Sequence, residues 1–437
     1  MYRNAERFLT VFLLSLLLGL NACSHTAQPE TVSAQGRVGD ESLIVQLDSE
    51  IARYYLEDYP EEHSEGWHEQ LQVYEPIFGT DSVDQDFLAE IAARYDSLDL
   101  AALMFVRHVL ADESNRYWQS CLTEVSRQFR LEANAVEDRL PADTGRWKVI
   151  FMPGWLYEDH SQTEAGFSRT RRSLDQVGFP YRFVDTPQDA TVERNAEILA
   201  EVLREYQGQD RQLILVSASK SAAEVHWALG HLLEESETAN VAAWINAGGV
   251  VAGTPLADHW TRFPRNLLAR AAFWRKGWAY DSLLSMRTSR SDERMADSSL
   301  PEDILVLNYV AVPMGSQVSE SARARYRQLG RQGPSDGLAP LWHAKVPEGL
   351  TLVEVGADHY FLTVDISTRT LALTAMTVAR LERGRCPDTQ EPKTPPLMVL
   401  SPEGATMLKN VLDWGHGVPE RSSRGMYPPP GLAADPS

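Results

Sequence analysis

We predict an α/β fold from the sequence, with a mostly parallel sheet flanked by helices and preceded by an all-helical N-terminal domain. From Trp147 onward, short apolar runs alternate with amphipathic stretches, which is typical of a parallel sheet with crossover helices. Between residues 41 and 140, apolar residues recur at helical spacing. Charge separates the same two regions, because residues 41–140 hold 22 acidic and 7 basic residues, a net −15, out of −20 for the whole chain.

The composition is that of a globular protein. With 437 residues, of which 43% are hydrophobic and 23% charged, the chain is long enough for two or three domains. It has 61 acidic residues against 41 basic ones. Phosphate binding requires a basic surface, so we expect no nucleic-acid partner.

The first 22 residues have the pattern of a signal peptide. Two arginines precede an apolar run of 13 residues, Phe8 to Leu20, which is too short to cross a bilayer core of about 30 Å. Leu20-Asn-Ala-Cys23 then resembles the bacterial lipoprotein box, whose cysteine receives lipid. The resemblance implies an anchor at Cys23 and, because Ser24 rather than aspartate follows, a place on the outer membrane facing the periplasm. Residues 23–40 are expected to form a flexible tether.

Residues 41–145 are expected to form the acidic helical domain. Two groups of apolar residues carry its helical spacing, namely Leu43, Leu47, Ile51, Tyr54 and Tyr55, and then Leu100, Leu103, Val106 and Leu110. Spacings of three and four place such residues on one face of a helix, which can then be buried.

Residues 146–386 are expected to form the α/β domain. Apolar runs predict strands at residues 148–152, 181–185, 213–216, 241–245, 304–307 and 350–355. Helices are predicted at 192–206 and, from an N-cap at Ser367 to a stop at Gly384, at the end of the domain. Residues 387–437 are assigned to a linker, a short helix near Ser401 and a disordered tail.

The strand at 213–216 leads directly into Ser217-Ala-Ser-Lys-Ser221 and a helix-forming stretch. A serine at a sharp strand-to-helix turn has an exposed hydroxyl near N–H groups that stabilise developing negative charge. The segment resembles the G-x-S-x-G nucleophile elbow of α/β hydrolases, with Ser219 as nucleophile and serines in place of both glycines. A plain serine-rich turn is the alternative.

Two later segments extend this resemblance. Asp336-Gly-Leu-Ala-Pro340 resembles the D-G-x-x-P segment that supplies the acid in lipase-like hydrolases, and Gly356-Ala-Asp-His359 resembles the turn that carries the family's histidine. Each candidate follows a predicted strand, where open α/β sheets place their sites. The chain order is that of the family. The resemblance therefore implies a triad of Ser219, Asp336 and His359, with Asp358 as the alternative acid.

The family resemblance also implies an oxyanion hole, with no cofactor and no metal. Its donors would be the backbone N–H groups of Lys220, after the nucleophile, and of Trp155, in the loop after the first strand of the α/β domain. The Trp155 side chain is expected either to line an acyl pocket or to pack in the core. The Lys220 side chain is expected to face solvent.

An insertion at residues 255–300 is expected to form a lid or cap. It combines aromatic with basic residues, namely Trp260, Phe263, Phe273, Trp274, Trp278 and Tyr280 among Arg262, Arg265, Arg270, Arg275 and Lys276. Such a stretch can cover an acyl pocket or contact anionic lipid. The alternatives are an ordinary packed helix pair with a solvated basic face and a contact between this insertion and the acidic N-terminal domain.

Cys121 and Cys386 remain once Cys23 is assigned to the anchor. An even pair in an oxidising compartment is compatible with a disulfide. Two buried free thiols are the alternative, because the sequence gives no distance between the Cα atoms.

These features together predict a serine hydrolase that cleaves a carboxylic ester of a small molecule or lipid through an acyl-enzyme. A thioesterase and an envelope lipid acylhydrolase are alternatives, because they use the same residues. A non-catalytic, hydrolase-like lipoprotein that binds a ligand or an envelope partner is the alternative of a different class.

Overall fold

The described part of the chain begins with a hairpin rather than a helix. A computed structural model describes residues 31–39, 41–57, 83–131, 135–140 and 145–387. Strands β1 (Val32–Val38) and β2 (Glu41–Leu47) pair antiparallel. The predictions of a tether through residue 40 and of an all-helical domain from residue 41 are therefore wrong here. Leu43 and Leu47 are four residues apart, a spacing that fits a strand as well as a helix, and the buried Val45 beside the exposed Ile44 shows the alternation of a strand.

Helices follow the hairpin. They are α1 (Glu50–Glu57), α2 (Gln85–Tyr95), α3 (Leu98–Ala111), α4 (Glu113–Leu131) and α5 (Ala135–Arg139). Side-chain oxygens cap two of them, because Asp84 accepts the Phe87 N–H at the start of α2 and Ser97 accepts the Leu100 N–H at the start of α3.

A six-stranded sheet forms the centre of the remaining chain. Its strands are β3 (Trp147–Met152), β4 (Tyr181–Phe183), β5 (Gln212–Ala218), β6 (Val241–Ala247), β7 (Leu305–Val312) and β8 (Leu350–Val355). Their order is β4-β3-β5-β6-β7-β8, and every neighbouring pair is parallel. This confirms the predicted α/β class with a sheet flanked by helices, although β4 is shorter and β7 longer than expected.

Helices connect the strands. They are α6 (Ser168–Val177), α7 (Val192–Arg204), α8 (Ser221–Trp227), α9 (Glu235–Thr238), α10 (Pro255–Thr261), α11 (Arg265–Lys276), α12 (Tyr280–Ser285), α13 (Thr288–Ala296), α14 (Glu320–Leu329) and α15 (Ile366–Arg383). The N-cap of α15 is Asp365, whose carboxylate accepts the Ser367 and Thr368 N–H groups, rather than the predicted Ser367. Gly384 ends that helix in the left-handed conformation.

The acidic N-terminal region shares its core with the sheet. One face of the sheet is covered by α4, α6 and α15. On the other face, α7 and α8 cover the central strands, whereas the hairpin and α1–α3 cover β7 and β8. Leu100 and Phe105 of α3 thus belong to the same cluster as Val310 and Val353 of the sheet. This explains why so acidic a region contains a helix whose buried residues, apart from Asp99, are apolar.

Side chains of helix α4 form hydrogen bonds with backbone groups of β8, at the edge of the sheet. The Gln119 amide donates to the Val353 carbonyl and accepts the Val353 N–H, at 3.0 and 2.9 Å. Asn115, one turn earlier, accepts the Thr351 N–H at 2.8 Å. These two amides occupy the hydrogen-bonding positions that another strand would otherwise use on the edge strand β8.

A disulfide joins Cys121 of α4 to Cys386 beyond α15, with 5.9 Å between the Cα atoms. No helix of the described residues is long and apolar enough to cross a membrane. The predicted signal peptide with Cys23, the first part of the tether, and the C-terminal linker, short helix and tail lie outside the described residues.

Candidate active site

The nucleophile elbow is built at the end of β5. Ser219 has φ +57°, in the left-handed region that side chains rarely adopt, as a sharp turn between a strand and a helix requires. The Ser221 hydroxyl accepts the Ala218 N–H at 2.9 Å and lies 2.8 Å from the Met152 carbonyl at the end of β3. The turn is therefore tied to the neighbouring strand.

Both serines that stand in place of the glycines of the G-x-S-x-G pattern have partners. Ser221 closes the turn as described, and it is fully buried. Ser217 accepts a hydrogen bond from the buried Trp244 indole N–H at 2.8 Å. A hydroxyl is useful at each position because each one meets a polar group that is removed from water. Nothing in the sequence indicated these partners.

His359 lies within hydrogen-bonding distance of both Ser219 and Asp336. The His359 Nε2 atom is 2.9 Å from the Ser219 hydroxyl oxygen, and its Nδ1 atom is 2.7 Å from a carboxylate oxygen of Asp336. Asp336 is fully buried and His359 is 9% exposed, so water competes little for these contacts. The structure thus brings together all three residues of the predicted triad.

Backbone groups hold the Asp336 carboxylate. Its second oxygen accepts the Leu338 and Ala339 N–H groups, each at 2.8 Å. Gly337, which directly follows Asp336, has φ +98°. A side chain at this position would have its Cβ 2.9 Å from the Ala322 Cβ. The D-G dipeptide is therefore required by this turn, which fixes the direction of the carboxylate.

The alternative acid, Asp358, has a different role. Its two oxygens accept the Ser319 N–H at 2.9 Å and the Tyr360 N–H at 3.0 Å. Asp358 thus stabilises the turn that carries His359. The same turn is anchored on the sheet by Phe361, whose ring stacks on that of Tyr309 with 5.4 Å between the centroids.

The loop after β3 packs closely against the nucleophile elbow. A Cβ added to Gly154 would lie 3.0 Å from the Ala218 carbonyl oxygen and 3.5 Å from the Ser219 Cβ. Gly154 itself donates to the Ala165 carbonyl at 2.9 Å. Among the described residues, neither the Trp155 N–H nor the Lys220 N–H has a hydrogen-bond acceptor. One of these N–H groups lies in the loop after β3 and the other directly after Ser219, and their role as an oxyanion hole stays a prediction.

The Trp155 side chain contacts the helices of the 255–300 insertion. Its indole N–H donates to the Ser282 hydroxyl at 3.2 Å. Its ring stacks on Phe273 of α11, with 6.0 Å between the centroids, and lies 6.4 Å from the ring of Trp278. The half-buried indole therefore links the loop of the site to the insertion. That the insertion covers substrate stays a prediction.

The expectation that the Lys220 side chain faces solvent is wrong. It is 2% exposed and forms an ion pair with Glu224, one turn further along α8 and equally buried. The Asn195 amide donates to the same carboxylate at 2.9 Å. Burial raises the pKa of Glu224, and the opposing Lys220 charge and the hydrogen bonds lower it. In the sequence, the spacing of four residues between Lys220 and Glu224 could have indicated this pair, because it places two side chains next to each other on a helix.

No group of three or more His, Cys, Asp or Glu side chains converges within the described ranges. The sheet order, the elbow and the neighbouring loops define an α/β-hydrolase-like fold.

Comparison with known proteins gives distant structural likenesses. No protein-family model and no curated protein sequence matches the chain. A metagenomic carboxyl esterase is 23% identical, with a TM-score of 0.44, over 56% of this chain and 78% of its own. The Bacillus licheniformis lipase BlEst2 in mature form is 22% identical, with a TM-score of 0.43, over 55% and 93%. Its propeptide form is 21% identical, with a TM-score of 0.41, over 53% and 51%. None of these likenesses assigns an activity to this chain.

Proposed function

We propose that the protein is a serine hydrolase that cleaves a carboxylic ester through an acyl-enzyme. One observation carries the proposal, namely the continuous hydrogen-bonded series from the Ser219 hydroxyl through the His359 imidazole to the buried Asp336 carboxylate. A hydroxyl next to an imidazole that is oriented by a carboxylate is the arrangement that activates an otherwise weak nucleophile.

The residues suggest the following steps. The Ser219 oxygen bonds to the ester carbonyl carbon while His359 Nε2 takes the hydroxyl proton. The carbonyl oxygen becomes an oxyanion, which the N–H groups of Trp155 and Lys220 would stabilise. The carbon–oxygen bond of the ester then breaks, and His359 gives its proton to the leaving alcohol. A water molecule repeats the sequence on the acyl-enzyme and releases the acid and free Ser219.

Asp336 supports both proton transfers without being protonated itself. Its carboxylate holds the proton-bearing Nδ1 atom of His359, so that Nε2 faces Ser219, and it stabilises the imidazolium that forms. Two backbone N–H groups fix the other carboxylate oxygen, which keeps the acceptor in place during the cycle.

A panel of p-nitrophenyl esters of increasing acyl length tests this proposal, with an acyl thioester and phospholipid vesicles as additional substrates. We expect hydrolysis by the wild type and a loss of at least about 10³-fold in kcat in Ser219→Ala. The matched control is Ser173→Ala in α6, whose hydroxyl donates to the Arg169 carbonyl. If the folded wild type hydrolyses no member of the panel, the non-catalytic ligand-binding protein becomes the better account. Preference for the thioester or for vesicles would instead select one of the two enzymatic alternatives.

We further propose that Cys23 carries a lipid anchor on the outer membrane of a bacterial envelope, facing the periplasm. The basic start, the apolar run of 13 residues and the box ending at Cys23 support this. Labelled palmitate should be incorporated by the wild type and not by Cys23→Ser. Equal incorporation by both proteins would contradict the anchor.

A further inference from the structure

Helix α11 is apolar on both of its sides. Its inner side buries Ala269 and Phe273 against Ala257, Leu283 and Met286 of the neighbouring helices. Its outer side carries Leu267, Leu268 and Trp274, which are 58%, 62% and 84% exposed. A helix at a protein surface normally presents polar residues to water, so this apolar outer side requires a partner.

The exposed apolar residues are concentrated here. Phe263, in the turn before α11, is 78% exposed, and Trp260 of α10 is 40% exposed. Within the described part of the chain, five of the nine exposed large apolar side chains therefore fall between residues 260 and 274. We call Phe263, Leu267, Leu268 and Trp274 the outer apolar face. Successive turns of the helix align Leu267 and Trp274, seven residues apart, on the side opposite Ala269 and Phe273.

Basic residues surround the outer apolar face. Residues 259–280 contain five cations and no acidic residue, in a chain whose net charge is −20; the cations are Arg262, Arg265, Arg270, Arg275 and Lys276. All five are exposed, and none forms a salt bridge with a carboxylate of the described residues. A partner that fits the outer apolar face must therefore carry negative charge next to an apolar region.

We propose that the outer apolar face of α11 docks on an anionic lipid bilayer. Leucine and aromatic side chains would enter the boundary between headgroups and acyl chains, and the basic side chains would contact lipid phosphates. A tryptophan is favoured at this depth because its ring is apolar and its N–H is polar. The arrangement is that of a helix lying in the plane of the membrane.

A second copy of the chain fits this face less well. In a two-fold dimer the same surface meets itself, so five cations of one copy would approach five of the other. The lipid proposal does not depend on ester hydrolysis. It places the site close to the bilayer, because the inner side of α11 contacts Trp155 and a helix is about 10 Å across.

Vesicle co-sedimentation tests the proposal. The chain would start at residue 23 and carry Cys23→Ser, so that neither the signal peptide nor an acyl group contributes; the described structure begins at residue 31. We expect binding to phosphatidylcholine vesicles that contain phosphatidylglycerol, weaker binding to pure phosphatidylcholine, and loss of binding at high salt. Trp274→Ser should weaken binding about tenfold. Replacing Arg275 and Lys276 together by Gln should weaken it by more than about tenfold, on the anionic vesicles only.

Matched controls are available elsewhere on the surface. Ile44 and Leu131 are 73% and 69% exposed, and Ile44→Ser and Leu131→Ser should bind like the parent. An unchanged melting temperature in each variant shows that the fold is retained. The proposal is overturned if anionic vesicles do not bind the parent, or if Trp274→Ser binds as well as the controls. A third result also overturns the proposal: the parent does not bind vesicles but forms a dimer, and Trp274→Ser dissociates that dimer. The outer apolar face is then a contact between two copies of the chain.

Discussion

The His359 Nε2 atom lies 2.9 Å from the hydroxyl oxygen of Ser219, although 140 positions separate the two residues in the chain. The parallel sheet contributes to this contact because β5 and β8 end at the same edge, with Ser219 directly after β5 and His359 four residues after β8. Strands β6 and β7 lie between β5 and β8, so the turn that carries His359 contributes as much as the order of the strands. Asp358 and Phe361 hold that turn in place.

The two candidate acids give a paired prediction. In Asp336→Asn, the amide oxygen would still accept the two backbone N–H groups, and its NH₂ group would face His359 Nδ1. The imidazole would then hold its proton on Nε2 and could not accept one from Ser219. We expect kcat to fall about 10³- to 10⁴-fold. Asp358→Asn should change kcat by less than about tenfold, because Asp358 only holds a turn. Similar losses in both variants would contradict the assignment of the acid.

Gly154 gives a prediction about the oxyanion loop. In Gly154→Ala, the new Cβ would lie 3.0 Å from the Ala218 carbonyl oxygen and 3.2 Å from the Ala165 Cβ, so the loop must shift and take the Trp155 N–H with it. We expect kcat to fall about 10²-fold with a small change in KM. Gly315→Ala, whose Cβ makes only an ordinary contact of 3.6 Å, is the control. Normal kcat in Gly154→Ala would show that Trp155 is not a donor.

The buried Lys220–Glu224 pair gives a prediction about stability. Glu224→Gln leaves an uncompensated charge in the interior and should lower the free energy of unfolding by about 3–5 kcal/mol. The double variant Lys220→Met, Glu224→Leu removes both charges and should recover most of that loss. The exposed pair Arg290–Glu293 is the matched control, since Glu293→Gln should cost less than about 1 kcal/mol. Urea denaturation measures all three, and an equal loss in the single and double variants would contradict the account.

The fully buried Asp99 gives a prediction about pH. Its oxygens accept the N–H groups of Asp48 and Gly315 at 2.8 and 2.7 Å. Burial, and then the neighbouring Asp48 charge, raise the pKa of Asp99 to about 7. The folded protein therefore binds more protons than the unfolded chain between about pH 4 and pH 7, and its stability falls as the pH rises through that window.

The comparison with Asp99→Asn isolates this effect. Over that window, the free energy of unfolding of the wild type should fall relative to the variant by at most about 1.4 kcal/mol per pH unit. Denaturant titrations at several pH values give the two profiles. Parallel profiles, or a wild type that gains stability relative to the variant as the pH rises, would show that Asp99 is ionised in the folded protein throughout.

Much of the α/β region follows from local patterns. Apart from the short β4, whose sequence is Tyr181-Arg-Phe183, the strands of the large sheet are mainly apolar runs that can be recognised without knowledge of their partners. The segments around Ser219, Asp336 and His359 could be found for a similar reason, since each motif is short and lies in the chain that follows a strand. The ends of strands were less predictable, and β7 continues to Val312 because both of its faces are covered.

Features that depend on long-range packing could not be predicted from the sequence. The spacing of Leu43 and Leu47 fits both the helical period of 3.6 residues and the strand period of two. Only the pairing of this segment with β1 makes it a strand. The expectation of a solvent-facing Lys220 side chain failed because burial of a charge depends on the helices packed around it. In the same way, no local pattern indicates that α3 shares a core with Val310 of the sheet.

The central claim is that Ser219 is an activated nucleophile. Intact-mass analysis after treatment with a fluorophosphonate tests it most directly, because this reagent bonds to a serine oxygen only when a neighbouring base removes the proton. We expect one adduct per wild-type molecule, located on Ser219 by peptide mapping, and none in Ser219→Ala. A folded wild type that stays unlabelled, or a Ser219→Ala variant that is labelled to the same extent, would contradict it.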